Sequence, residues 1–383
     1  MKHVRTTFVA LSLTIAATSF AQWTKNGYYR VLNEATEKYI TIIDNKAKVN
    51  TVSTSIDLGA LETVYGFDRV VSNPASIIYI RYEKSPNLFS LASQGTDTRE
   101  ITGEFLTVKP STTNKNAYWA GGKKSGMDLW LCDVYSLYDT SEVGTNANDN
   151  SKSRNWFIIP VNKDVNKQYF GIKPEIAYNG KYYATIYAYF PFKLDEGMKA
   201  YSITLNTNSV AVYKEITGTI PRSTPVLIEC SSPTPDGNRI DIVDETTTSI
   251  SGNKLEGVWF CSHKDGHINR KAYSSSTMRV LGLTQDGKLG FITAPDSYLS
   301  YDGGRYYLPA NKAYLPVASN AQGELYIISE EDYSAGVSTI SIDDAKQSAV
   351  YTLTGLQVRK RGESTEGLSK GIYVVKGKKI IVH

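Results

Sequence analysis

The sequence is poorest in the residues that carry most side-chain chemistry. Among 383 residues there are 4 His and 3 Cys. So few imidazoles leave little room for a Ser–His–Asp or Cys–His constellation, which needs a His base within hydrogen-bond reach of its nucleophile. No Gly-x-Ser-x-Gly elbow surrounds any serine, and no glycine-rich phosphate loop follows a strand and opens a helix. The cysteines permit at most one internal disulfide, so the chain is not a disulfide scaffold. A Cys230–Cys261 bridge is one reading, and three small buried hydrophobes are the other. Net charge is low as well. Removing Lys2 and Arg5 from the 42 basic residues leaves 40 against 38 acids. A nucleic-acid binder needs a basic stripe to displace counterions, so nucleic acid is not an expected partner. Beyond the N-terminus no stretch reaches the ~18 consecutive apolar residues of a membrane-spanning helix. No long window keeps a clean helical period either.

What is present is tyrosine, 27 residues of it, in short runs with Ile, Val and Thr that stop at Gly, Asn, Asp or Pro. Such runs read as strands. Examples are Tyr28–Leu32, Tyr39–Ile43, Ile77–Tyr82, Trp156–Val161, Tyr182–Tyr189, Tyr201–Leu205, Pro225–Cys230, Met278–Leu283 and Gly371–Val375. Asp-Gly pairs at 236–237, 265–266, 286–287 and 302–303 supply the positive φ angles of tight hairpins. The predicted fold class is all-β.

Residues 1–21 read as a secretory signal. Lys2 and Arg5 precede an apolar run over Phe8–Ala17, and Ser19-Phe20-Ala21 offers small residues at a cleavage site. The expected location is secreted or at the outer cell surface. Composition divides the rest into 23–162, 165–330 and 340–383. Polar stretches at 139–155, 162–168 and 329–342 read as surface loop and linkers, the first with no buried-looking position.

In 23–162, three units start about 50 residues apart, the spacing of repeated supersecondary units. They begin at Gly27-Tyr28-Tyr29-Arg30-Val31, at Phe67-Asp68-Arg69-Val70-Val71 and at Met127-Asp128-Leu129-Trp130-Leu131, the last closing with Trp156-Phe157-Ile158-Ile159. This pattern resembles the β-trefoil of ricin-type lectins, which implies a closed barrel with threefold pseudosymmetry. The Gln-x-Trp signature of the family's sugar binders is absent: Gln22 and Trp23 are adjacent, and Trp119, Trp130 and Trp156 have no Gln two residues before. The resemblance therefore implies the fold and not that galactose site. Tyr118 and Trp119, beside Gly121-Gly122, read as a sugar-stacking platform, the alternative being a half-buried Trp119.

The middle region, 165–330, reads as one or two β-sandwiches. Its blocks look like those found upstream of sorting domains in secreted bacterial surface proteins. Cys261, His263 and His267 are the one metal-like cluster, but four ligands at zinc spacing are missing. No cofactor or metal is expected.

The C-terminal segment runs Val350–Val358 and then Leu368-Ser369-Lys370-Gly371-Ile372-Tyr373-Val374-Val375-Lys376-Gly377-Lys378-Lys379. It resembles the sorting domain of type IX secretion cargo, with a shorter final hairpin than many. The resemblance implies a small β-sandwich module that engages export machinery, carried by Gly355, Lys370, Gly371, Ile372, Tyr373, Lys378 and Lys379.

The function expected is non-catalytic binding at the cell surface, with a glycan or a host or matrix protein as ligand. One alternative is a secreted glycan hydrolase using paired carboxylates, with Asp128, Asp133, Glu229 and Glu256 as unranked candidates. The other is a structural surface-layer or filament component.

Overall fold

The computed structural model describes residues 26–42, 61–84, 88–93, 106–124, 127–133, 140–146, 152–165, 168–207, 209–244, 249–258, 270–319, 321, 323–336, 349–361, 363, 368–369, 371–375 and 378–382. The signal segment, Cys261, His263, His267, Lys370 and His383 lie outside the described residues.

Ten strands make the N-terminal region. They are β1 (Gly27–Asn33), β2 (Lys38–Ile42), β3 (Leu61–Tyr65), β4 (Ile78–Lys84), β5 (Leu88–Ser93), β6 (Leu106–Pro110), β7 (Tyr118–Lys124), β8 (Met127–Asp133), β9 (Thr140–Asn146) and β10 (Trp156–Pro160). Six of them pair in a closed antiparallel ring: β1 with β4, β4 with β5, β5 with β6, β6 with β7, β7 with β10, and β10 back to β1. Closure removes free edges, which are otherwise aggregation-prone. The hairpins β2–β3 and β8–β9 stand outside the ring and pair through β3 and β9.

Three expectations change here. Phe67–Val71 is no strand: Gly66, at φ 93°, turns the chain out of β3 into the helical turn α1 (Phe67–Val70). Val70 is then fully buried, with Phe67 packed beside it against Leu32 and Tyr39. Second, β8 pairs with β7 and β9, and not with β10. Third, 139–155 is not all surface loop. It holds β9, and Arg154 and Asn155 are buried. Ladder hydrogen bonds are made by backbone, so a polar strand can still pair.

The central region has two layers. Three short strands, β11 (Phe170–Gly171), β14 (Phe192–Leu194) and β18 (Arg239–Ile242), form a small sheet in the order β11-β18-β14. It packs on a larger sheet through Phe170, Phe192 and Ile240, which meet Ala184, Val226 and Ile228 in one buried cluster. Tyr28 and Ile77 of the N-terminal region join that cluster. The larger sheet contains β12 (Ile176–Tyr178), β13 (Lys181–Ile186), β15 (Lys199–Asn206), β16 (Val210–Ile216), β17 (Val226–Cys230), β19 (Glu256–Gly257), β20 (Met278–Leu283), β21 (Leu289–Ile292), β24 (Ala313–Pro316) and β25 (Leu325–Ser329). Its order is β12-β13-β17-β15-β16-β25-β21-β20-β24-β19, antiparallel except for β16–β25. A hairpin of β22 (Ser300–Asp302) and β23 (Arg305–Tyr307) turns at Gly303-Gly304, both at positive φ (54° and 79°), with Asp302 still paired in the strand; β20–β21 turns through Asp286-Gly287, where Gly287 takes the positive φ (75°). Asp236-Gly237 instead ends a 3-10 turn begun by Pro235. Residues 329–342 are not all linker: α2 (Glu330–Gly336) starts there. The Ser329 hydroxyl accepts from the Asp332 N–H at 2.9 Å, and three acids fill the first turn, a helix start written in side chains that also suit a loop.

At the C-terminus, β26 (Val350–Thr352), β27 (Gln357–Arg359), β28 (Gly371–Val375) and β29 (Lys378–Val382) form one antiparallel sheet ordered β27-β26-β28-β29. It is a single sheet and not a sandwich. Ile372 packs on the central region, while Tyr373 and Val375 share a second cluster with Val350. Gly355, at φ 85°, makes the turn between β26 and β27, and Lys378 and Lys379 lie on the outer strand β29. The class is all-β; the two described α-helices are only four and seven residues long. Among the described residues no helix is long and apolar enough to cross a membrane.

Candidate functional site: a tyrosine-lined cleft

The sequence points first to Tyr118 and Trp119, so their surroundings come first. Trp119 sits on β7 and is only 6% exposed. Its indole N–H donates to the Asn155 side-chain oxygen at 2.7 Å, and the Arg154 guanidinium lies 4.6 Å from its ring centre. Asn155 is a hub. Its oxygen also accepts from the Ser111 hydroxyl at 2.6 Å, and its amide donates to Glu34 at 2.6 Å and to Thr113 at 2.9 Å. One face of Trp119 is thus covered by a cation and its polar edge is spent internally. The ring is not presented to a ligand. Tyr118 is half-buried and pairs with Trp156 across β7 and β10. Among the carboxylates, Asp133 is buried and accepts from the Thr36 hydroxyl, and Glu256 accepts from Tyr314. Asp128 lies on β8 opposite Lys123 in register.

Glu229 has the surroundings of a site. Strand β17 alternates: Val226, Ile228 and Cys230 face the sandwich core, while Leu227 and Glu229 face the other way. Burial pushes the Cys230 thiol up to about 12, so it packs as a neutral hydrophobe. Register then sets the neighbours of Glu229. Tyr183 of β13 lies opposite it on one side and Lys199 of β15 on the other; Tyr201 lies opposite Leu227. Tyr213 of β16 meets Tyr201 edge to face, with ring centres 4.7 Å apart. The hairpin β12–β13 brings in Tyr178. Its turn is Asn179-Gly180, both at positive φ (49° and 74°), as a two-residue hairpin requires. Tyr326 of β25 and Leu289 of β21 complete a cavity of about 380 Å³, within the size range of small-ligand sites. Five tyrosines line it around one carboxylate.

The electrostatics are balanced. The Glu229 side chain is 13% exposed and pairs with Lys181. It accepts from the Tyr201 hydroxyl at 3.1 Å and, more loosely, from Tyr183 at 3.5 Å. Lys199 pairs with Glu215 at 3.1 Å. Lys288 pairs with Asp286 at 3.1 Å and lies 5.3 Å from the Tyr326 ring centre. Burial, and then the Glu229 charge, push the Tyr183 phenol up to about 12. Tyr201 is raised for the same reasons in the same order. The cleft therefore offers neutral phenols, flat aromatic faces and ion-paired charges. Among the described residues that line it there is one carboxylate and no His, Cys or Ser. No group of three or more His, Cys, Asp or Glu able to hold a metal occurs among the described residues.

A second cavity, of about 540 Å³, lies between the Asp68–Pro74 segment and the central region. Its lining carries one aromatic ring, Phe170, and its Lys312 is held by Glu175 at 2.8 Å. It lacks the convergent aromatic faces of the tyrosine cleft.

Reading the residues in order missed the cleft. The signals were there: Asn179-Gly180 between two Tyr-rich runs, and Glu229 among apolar neighbours on an alternating strand. What brings five tyrosines together is sheet order, with β12 and β25 five strands apart. No family model matches the chain, and no curated protein matches it. Among solved structures, that of a mosquitocidal holotoxin is similar over 77% of this chain at 10% identity, with a TM-score of 0.27. The match spans about a third (34%) of that structure's length, and a likeness this distant carries no argument about function.

Proposed function

We propose that this chain is an exported binding protein of the cell surface that holds a neutral glycan in the tyrosine cleft, without catalysis. The observation that carries this reading is the lining itself. Pyranose rings present apolar C–H faces that stack on aromatic rings, and hydroxyls that seek fixed acceptors and donors. Tyr178, Tyr183, Tyr213 and Tyr326 are partly exposed and supply the faces; Glu229, oriented by Lys181 and Tyr201, supplies the acceptor. Since the lining charges are ion-paired, a neutral ligand fits better than a strongly charged one. Hydrolysis by paired carboxylates needs a second acid across the scissile bond, and Glu229 has none beside it among the described lining residues.

Export rests on the signal-like segment at 1–21. The ring of six strands with outlying hairpins supports reading 23–162 as trefoil-like, now as a scaffold joined to the central core through Tyr28 and Ile77. The four-stranded terminal sheet, with Gly355 at its turn and β29 outermost, supports the sorting-module reading.

The test is a glycan array probed with the full chain and with Tyr183→Ala. Signal on neutral oligosaccharides that Tyr183→Ala loses supports the proposal. Signal that survives the substitution, or none on any glycan, overturns it. Release of reducing sugar, abolished by Glu229→Gln, would overturn the non-catalytic half.

A further inference from the structure

The central region does not complete the cleft alone. Leu353, just beyond β26 in the C-terminal module, lines it beside Tyr326 and Ile328. The module is fastened at the same place. Ile372 of β28 is 6% exposed and packs against Val210 and Val212 of β16, with Tyr326, Ile328 and Leu353 around them. Next to it, a Cβ on Gly371 would lie 3.7 Å from the Ser209 hydroxyl, an ordinary contact with no clash. That hydroxyl is buried and makes no hydrogen bond. The second face of β28 serves the module's own cluster of Val350, Tyr373 and Val375. One apolar contact therefore does two things: it holds the module down and builds one wall of the cleft.

We propose that the C-terminal sheet is a separable wall of the binding cleft, so that its docking and the occupancy of the cleft are coupled. Undocking withdraws Leu353 and uncovers Tyr326 and Ile328. A ligand that touches Leu353 favours the docked state, and by linkage the docked state binds it more tightly by the same factor. The identity of such a ligand rests on the glycan reading above, whereas the coupling of docking to access is a property of this chain alone.

The experiment is nitration of the full chain with tetranitromethane, followed by peptide mass spectrometry. Tyr326 is compared with Tyr301, which is 65% exposed and remote from the cleft lining. Ile372→Glu places a charge in the apolar contact and is expected to raise relative nitration of Tyr326 by about fivefold or more, the low end of ordinary coupling. The double variant Ser209→Cys/Gly371→Cys, oxidised, is expected to nitrate Tyr326 more slowly than its own reduced form, because the crosslink blocks undocking, and reduction is expected to restore the faster rate. This second variant keeps the test decisive if Ile372→Glu does not fold. An unchanged Tyr326 rate across wild type, Ile372→Glu, and the oxidised and reduced cysteine pair overturns the proposal. A nitration response without binding on the glycan array overturns the glycan reading and leaves the wall intact. Binding on the array with no nitration response does the reverse.

Discussion

Two clusters of aromatic and polar side chains, built from the same kinds of residue, come to opposite ends. Around Trp119 in the N-terminal ring, Asn155, Ser111, Thr113 and Glu34 spend their hydrogen bonds on one another, and Arg154 covers the indole. Around Glu229 in the central region, tyrosines stand on one sheet face with an opening in front of them. The first cluster holds loops to strands. The second leaves aromatic surface for something else. Solvent access to the rings, and not residue type, separates a structural network from a binding site.

The comparison breaks most sharply at Asn155. Asn155→Ala removes the acceptor shared by the Trp119 N–H and the Ser111 hydroxyl, and is expected to cost about 3 kcal/mol of unfolding free energy. Urea unfolding measures it, and Tyr326 nitration should not change in the folded protein. A loss below about 1 kcal/mol would show the network to be slack.

The cleft responds to base next. Tyr183 has a folded pKa of about 12 against an ordinary value of 10.0. A raised folded value means the native state keeps its proton longer, so this contribution is full below pH 10 and is lost as pH rises toward 12. Urea midpoints stepped through that window should fall, and Tyr183→Phe should flatten the decline. An equal slope in both proteins would remove Tyr183 as a cause.

Smaller effects follow. Tyr201→Phe deletes the 3.1 Å hydrogen bond to Glu229, which stays tied to Lys181, and should cost about 1 kcal/mol. On the glycan array the same variant should lose signal, because the acceptor is less firmly oriented. Smallest is Lys199→Ala. Its partner Glu215 is exposed at the rim, so neither stability nor binding should move measurably in physiological salt. A clear loss there would relocate the contact surface to the rim.

Much of the fold can be read along the chain, and much of the site cannot. Strand runs such as Met278–Leu283 and Gly371–Val375 coincide with β20 and β28, because alternation and turn chemistry are local. Phe67–Val71 misleads because its apolar residues suit a strand, while Gly66 sends the chain into a helical turn. Asn155 misleads in the other direction: it stands in a polar stretch, yet its side chain is the buried hub of a network whose members are distant in sequence. Trp119 and Glu229 are both visible as candidates, and nothing local ranks one above the other.

The sequence by itself determined the all-β class, the hairpin turns through Asp286-Gly287 and just after Asp302, and the two faces of each strand, since side-chain direction alternates with every residue. Only the tertiary structure decided which face met another layer and which met water. That choice depends on sheet order and on the docking of the C-terminal sheet through Ile372, contacts between segments far apart in the chain that no local period encodes.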